Sequence, residues 1–224
     1  MSIILKAEGI SRTYKSGSVE VNALKKCDLE VEEGRFYSIV GKSGAGKSTL
    51  LRILAGMDRP DTGSVYVDGE DIFKLKDKDL AAFRRRKIGY VYQDYSLFPE
   101  FTGLENIYMP QALDKKDMDR EEIDDLMEAL EIAHCKDKLP TQMSGGEQQR
   151  VALARALITK PAVVFADEPT GNLDMASAKT VADMFQKASQ HFHQTIIMVT
   201  HDQQMAEVAD GIIRISDGGL SYEH

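Results

Sequence analysis

Only two cysteines, Cys27 and Cys135, occur in the 224 residues. Two cannot build a disulfide framework or a cysteine ligand cluster, and they fit a reducing compartment. No run of about 18 apolar residues exists, so no segment reads as a membrane span. The opening stretch, MSIILKAEGI, has no basic region ahead of an apolar one, so no signal peptide is expected. Internal repeats, low-complexity tracts and interdomain linkers are missing as well. Basic charge is in the minority: 28 Lys and Arg face 36 Asp and Glu, a net charge of −8. That balance argues against free nucleic acid as the main partner. It does not argue against a nucleotide held by local donors and a metal ion. What remains is one cytoplasmic, mixed α/β domain over residues 1–224, long enough to bury a core without disulfides.

The first part of the chain reads as short strands at residues 3–7, 19–21 and 29–31. Residues 36–40 are β-branched or aromatic at most positions and end in Gly41, which reads as a core strand. Residues 63–69 alternate and close on Asp68 and Gly69, a turn signal. These edge strands predict a small, largely antiparallel sheet beside a main one. The second half changes rhythm. Residues 162–166 and 195–200 are apolar runs, ending in Asp167–Glu168 and in His201–Asp202. Between them, residues 175–188 place Ala178, Val181, Ala182 and Phe185 on one helical face. Strand, helix, strand at this spacing predicts a crossover within a parallel sheet, with a site at its carboxyl edge. Residues 212–215 and Leu220 flank Asp217, Gly218 and Gly219, which reads as a closing hairpin.

Residues 94–140 differ. Pro99, Gly103 and Pro110 interrupt the start. Residues 117–133 then carry a helical pattern with Ile123, Leu126, Leu130 and Ala133 on one face. This reads as a helical arm, over about residues 94–157, inserted in the core. Its acidic face is accounted for by solvation alone.

Gly41, Lys42, Ser43, Gly44, Ala45, Gly46, Lys47 and Ser48 fit G-x-x-x-x-G-K-[ST] at every fixed position. The stretch follows an apolar strand and precedes an apolar helical pattern from Thr49, the context this motif needs. The glycines permit a tight wrap that aims backbone N–H groups at phosphate oxygens. A helix beginning near Lys47 adds the positive end of its dipole. Lys47 can reach outer phosphates, and the Ser48 hydroxyl can ligate Mg²⁺. Asp167 can hold that ion's hydration shell, and Glu168 can face the terminal phosphate and polarise water. His201 reads either as structural or as a hydrogen-bond donor to the transferring group. Ser144, Gly145, Gly146 and Glu147 open a second helix, with Ser144 as a plausible N-cap. This is either a plain glycine-rich helix start or a second anion site. One triphosphate needs one cradle, so the second would serve another subunit's nucleotide.

In combination these motifs resemble the nucleotide-binding subunits of ATP-binding cassette transporters, over nearly the whole chain. The resemblance implies a P-loop NTPase core with a mostly parallel sheet, a small antiparallel β subdomain and an inserted helical arm. Residues 41–49, ending in Thr49, match the Walker A loop, and Met143 to Glu147 match the signature. Tyr14 matches the aromatic residue that stacks on adenine. Gln93 matches the glutamine that touches Mg²⁺ and attacking water. Asp167 and Glu168 match the Walker B aspartate and catalytic glutamate. Asp174 matches a loop that crosses a dimer interface, and His201 matches the switch histidine. Met143 and Glu147 stand where leucine and glutamine are usual; the first is a mild exchange, and the second should not touch the γ-phosphate directly. Lys47, Gln93, Glu168 and His201 are intact, which argues for an active site.

The implied activity is ATP hydrolysis with ATP and Mg²⁺. The implied assembly is a homodimer closing on ATP, seated on an integral membrane permease at the inner face of the membrane, with no nucleic acid. Phe98 and Phe101 read either as contacts to that permease or as core of the arm. The order of residues 89–106 and 166–174 is similar to the branch of MacB, LolD and bacitracin exporters, which move peptides, antibiotics or lipoproteins. A cell-division ATPase acting on a membrane partner and a soluble scaffold-assembly ATPase stay open. A chromosome-maintenance ATPase needs a long heptad pattern that is missing. A translation factor usually carries two cassettes, and this chain has one.

Overall fold

The fold is described from a computed structural model over residues 2–16 and 19–223. Met1, Gly17, Ser18 and His224, which the reading of a single domain over 1–224 includes, lie outside the described residues.

In chain order the elements are β1 (Ile3–Ser16), β2 (Val19–Glu32), β3 (Phe36–Val40), α1 (Lys47–Leu54), β4 (Thr62–Val67), β5 (Glu70–Asp71), α2 (Asp77–Lys87) and β6 (Ile88–Val91). Then come α3 (Gly103–Leu113), α4 (Arg120–Ala129), α5 (Gly145–Leu157), β7 (Val163–Asp167), α6 (Met175–Phe192), β8 (Ile196–Thr200), α7 (Gln203–Ala206), β9 (Gly211–Ser216) and β10 (Gly219–Glu223).

Two sheets form. One has the order β10-β9-β3-β8-β7-β6 and is parallel except for the β9–β10 hairpin. The other, β2-β1-β4-β5, is antiparallel throughout. The alternation within the parallel strands explains their unbroken apolar runs. Val163, Phe165, Ile197 and Val199 pack on one face with α1 and the antiparallel sheet. Val164, Ala166, Ile196 and Met198 pack on the other face with α5 and α6. A strand buried on both faces has no room for polar alternation. The two sheets are stitched where Lys25 N–H donates to the Gly218 carbonyl at 2.9 Å and Glu30 N–H donates to the Tyr222 hydroxyl at 3.0 Å.

The structure corrects several boundaries. The strands expected at 3–7, 19–21 and 29–31 are pieces of two 14-residue strands. Register shifts between Ala7 and Thr13, with Gly9 at φ +58°, break the period-2 pattern and hide their length. Gly103 and Pro110 lie inside α3 rather than interrupting it. Thr102 caps α3 and forms a reciprocal pair with Glu105, which starts the helix at Gly103, while Pro110 falls in its last turn. Gly103 is needed there because a Cβ would come 2.4 Å from the Cys135 carbonyl oxygen. In the arm, α4 ends at Ala129, not at 133. Glu131, at φ +56°, turns the chain, so Ile132 is buried and Ala133 is exposed in a 3-10 turn. Helix α2 carries no apolar stripe and only Leu80 is buried, so periodicity does not reveal it. Its acids lead and its bases trail, along the helix dipole.

Phe165 is fully buried in β7 between the main sheet and α1. Phe165→Ala is expected to lower unfolding free energy by about 3–5 kcal/mol in equilibrium denaturation.

Candidate functional site

The phosphate loop is set by β3, whose five residues are all buried, and by α1. Gly44 and Gly46 take φ of +78° and +100°, and a Cβ on Gly46 would stand 2.1 Å from the Ala23 carbonyl oxygen. The turn therefore requires glycine, and β2 sits against it. Gly46 is the N-cap of α1 and supplies no side-chain cap. Its first N–H groups are thus left for an anion. Lys47 is buried, and its ammonium donates to the Gly41 and Lys42 carbonyls at 2.9 and 3.1 Å, so it lies across its own loop. Lys42, Ser43, Gly44 and Ala45 line a cavity of about 420 Å³ with Asn22, Lys25 and Asp217. Thr49 follows within α1.

Tyr14 is paired with Val21 across β1 and β2, one position from Asn22 of that cavity. Its hydroxyl donates to Asp58 at 2.5 Å, and the Arg12 guanidinium lies 4.8 Å from its ring centre. Tyr14 is 38% exposed. The aromatic residue is thus anchored at its polar end beside the loop.

Asp167 and Glu168 end β7, beside β8 and its successor His201. Ser48 Oγ donates to Asp167 Oδ1 at 3.0 Å, and the Tyr90 hydroxyl reaches Oδ2 at 3.4 Å. Burial pushes the Asp167 carboxyl up, and the Ser48 hydrogen bond opposes it. Burial, then Asp167, pushes the Tyr90 phenol up, so it stays a donor. Ser48 and Asp167 present hard oxygens, the donor set a magnesium ion takes.

Glu168 has φ +46° and precedes Pro169. A non-glycine residue there costs about 1 kcal/mol or more. The turn is held by Glu168 N–H donating to the Val199 carbonyl at 2.9 Å and Gly171 N–H donating to the Glu168 carbonyl at 3.0 Å. Glu168 Oε2 pairs with His201 Nδ1 at 3.1 Å. Gln93, two residues past β6, is drawn to the same turn. Asn172 Nδ2 donates to its carbonyl at 3.0 Å, and a Cβ on Gly171 would sit 2.9 Å from Gln93 Nε2. Ser48, Asp167, Glu168, His201 and Gln93 therefore gather at one sheet edge. Tyr90 and Asn172 were not legible in the sequence, because they act across about 80 residues through tertiary contact alone.

Ser144 caps α5, and Glu147 N–H donates to its hydroxyl at 3.3 Å. In return Glu147 Oε2 accepts from Ser144 N–H at 2.6 Å. Glu147 Oε1 is held by His134, with Lys138 at 3.7 Å. Gly145 is packed under Tyr95, whose hydroxyl would be 2.9 Å from a Cβ. The signature carboxylate is thus tied back to its own arm. Helix α5 packs on the opposite face of the six-stranded sheet from α1. Residues 144–147 and 41–49 accordingly belong to different faces of one chain. Asp174 caps α6, accepting from Ala176 N–H, Ser177 N–H and the Ser177 hydroxyl, and it is exposed beside the 69% exposed Met175.

His134 first, then Ser144, pulls the Glu147 carboxyl down to about 2 from 4.5. A lowered folded value stabilises above the unfolded one and is lost as pH falls through the folded one. Between pH 4.5 and 2 the parent protein should lose about 1–2 kcal/mol more than Glu147→Gln, after discounting for solvent screening. Denaturation at stepped pH checks this, and parallel curves would contradict it.

The family profile described as ABC transporter matches residues 24–171. The lipoprotein-releasing system ATP-binding protein LolD of Cytophaga hutchinsonii is 46% identical over 97% of this chain and 99% of its own length. The macrolide export ATP-binding/permease protein MacB of Syntrophobacter fumaroxidans is 41% identical over 98% of this chain, which spans 31% of that longer protein. Among solved structures, a dimeric ATP-binding cassette in a post-hydrolysis state, bound to ADP and Pi, superposes with a TM-score of 0.86. It is 38% identical, over 98% of this chain and 97% of that one. Profile, full-length relative and superposition agree with the site's geometry: the chain belongs to the ABC transporter family, as one of its ATP-hydrolysing cassettes.

Proposed function

We propose that this chain is the ATPase of a transporter that extracts or exports a lipoprotein, peptide or antibiotic through an integral membrane permease. The observation that carries the ATPase reading is the line Ser48–Asp167–Glu168–His201 beside a phosphate loop closed by glycine. The lipoprotein-release branch is favoured by the full-length match to LolD. The likeness to MacB supports the second reading, antibiotic or peptide export. Among the described residues no helix is long and apolar enough to cross a membrane, which leaves the crossing to the permease. The cassette then acts in the cytoplasm, peripheral at the inner membrane face, as a single ATP-binding domain with residues 94–157 as its arm.

Two chains pair head to tail, and each ATP lies between residues 41–49 of one and 144–147 of the other. Opposite placement of α1 and α5 favours this, since one chain does not bring both to one phosphate. Tyr14 stacks on the adenine. Lys47 exchanges its two carbonyls for the outer phosphate oxygens, and the N–H groups of α1 hold the rest. Ser48, Asp167 and Gln93 hold Mg²⁺, which when bound neutralises charge developing on the phosphates. Glu168 accepts a proton from the attacking water, in the orientation fixed by the left-handed turn. His201 donates to the transferring phosphoryl group and keeps Glu168 aligned. Asp174 lies on the surface that faces the second chain. Binding closes the pair, and loss of phosphate reopens it. Gln93 and residues 94–112 carry the closure to the permease. Phe98, 45% exposed and 5.5 Å from the Phe101 ring, is the apolar contact offered there.

Glu168→Gln should keep ATP binding, lose about 10²–10⁴-fold of turnover and elute as a dimer with ATP and Mg²⁺. Lys47→Ala should lose about 10–100-fold in ATP affinity and stay a monomer. A monomer peak for Glu168→Gln at saturating ATP, or undiminished binding by Lys47→Ala, contradicts these roles. Capture of solubilised membranes on the trapped Glu168→Gln dimer, read by mass spectrometry, should retrieve a permease with a large extracytoplasmic domain. Cell-division proteins or soluble partners alone would overturn the transport reading.

A further inference from the structure

Beside the first turn of α5, three different ligand types converge. A ring nitrogen of His134, Cys135 Sγ and a carboxylate oxygen of Glu147 all lie within 4.8 Å of one another. Among the described residues no other His, Cys, Asp and Glu group reaches this closeness. The proposed nucleotide chemistry uses neither His134 nor Cys135.

The backbone beneath the cluster is fixed. Cys135 N–H donates to the Ile132 carbonyl at 2.8 Å, and Lys138 N–H donates to the Cys135 carbonyl at 3.1 Å. That carbonyl also packs on Gly103. Cys135 is fully buried, Glu147 is partly buried and His134 is exposed, so the cluster has a walled base and one open side. Glu147 divides its oxygens. Oε2 accepts from Ser144 N–H and holds the helix cap, while Oε1 faces His134 and lies 3.6 Å from Cys135 Sγ. Ligation through Oε1 therefore leaves the cap in place. Lys138, 3.7 Å from that oxygen, is 37% exposed and can swing into solvent, and the Lys138 and Arg150 charges both favour the Cys135 thiolate that an ion requires.

We propose that His134, Cys135 and Glu147 form a binding site for a zinc-class divalent ion, with water as the fourth ligand. Imidazole, thiolate and carboxylate in one small set select a borderline-soft tetrahedral ion over magnesium, which takes oxygens alone. On ligation the Cys135 thiol proton leaves to solvent, and the ion joins sulfur, nitrogen and Oε1. The ion ties the 3-10 turn at Ala133–Cys135 to the first turn of α5. It also neutralises Glu147, next to the surface that the proposed function assigns to the partner chain's ATP.

The test uses the full chain, stripped with a chelator and free of nucleotide, so it does not depend on the ATPase reading. Co²⁺ is the spectroscopic probe and Zn²⁺ the competitor. One equivalent of Co²⁺ should give tetrahedral d–d bands and a thiolate-to-cobalt charge-transfer band, both bleached by Zn²⁺ and unmoved by excess Mg²⁺. Cys135→Ser should abolish the charge-transfer band. His134→Ala, at an exposed position that tolerates change, should weaken Zn²⁺ binding by at least about 10-fold and keeps the test valid should Cys135→Ser not fold. Cys27→Ser should leave the bands intact. No charge-transfer band, affinity unchanged in His134→Ala, or a band that follows Cys27 would each overturn the site.

Discussion

The six-stranded sheet is buried on both faces, and this constraint decides where chemistry can sit. Its inner strands β3, β7 and β8 are apolar along nearly all their length, because neither face meets water. Apart from Tyr37 and Ser38 of β3, the polar side chains of these three strands sit where the strands stop. All the strands that matter stop on the same side, since β3, β6, β7 and β8 run parallel. Asp167 is the last residue of β7, and Gly41, Gln93, Glu168 and His201 are the first or second residues past the ends of their strands. The site is thus a consequence of the sheet: a dry slab delivers its polar residues to one edge.

The same slab separates two helix N-termini. The α1 terminus opens from the face shared with the antiparallel sheet, and the α5 terminus from the face shared with the arm. Each has a different local solution. Gly46 offers no side chain to α1, so its first N–H groups are left uncapped by any side chain. Ser144 and Glu147 cap α5 internally, and Glu147 is held back by His134. The Glu147 carboxylate therefore points at its own arm and away from the open end of α5. Strain marks the other key carboxylate. Glu168 keeps a left-handed backbone because its neighbours pin the turn, and this aims its side chain at His201.

Much of this was legible in residue order, for a physical reason. A phosphate loop needs glycine at fixed positions, and a doubly buried strand needs an unbroken apolar run; both write themselves into the sequence locally. The capped start of α5 was legible through Ser144. Other features had no local trace. The long strands β1 and β2 were hidden by register shifts that break alternation. Helix α2 was hidden because it buries Leu80 and little else. In α3 the Thr102–Glu105 pair starts the helix at Gly103, and Pro110 is carried in its last turn. The left-handed turn at Glu168 left only the hint of Pro169, since a residue before proline avoids the right-handed helical region. The hold of His134 on Glu147 and of Tyr90 on Asp167 depends on folding distant segments together.

The central claim is that each ATP site is shared between two chains. Mixed pairs test it most directly. On a Glu168→Gln background, one pair carries Lys47→Ala and Ser144→Arg together on a single chain beside an otherwise unmodified partner. The other pair carries one change on each chain. Shared sites leave the split pair with one intact site and the doubled pair with none, so the split pair should trap one ATP and the doubled pair should trap none. The reverse pattern, with ATP trapped by the doubled pair and not by the split pair, would show that each chain completes its own site and would contradict the account.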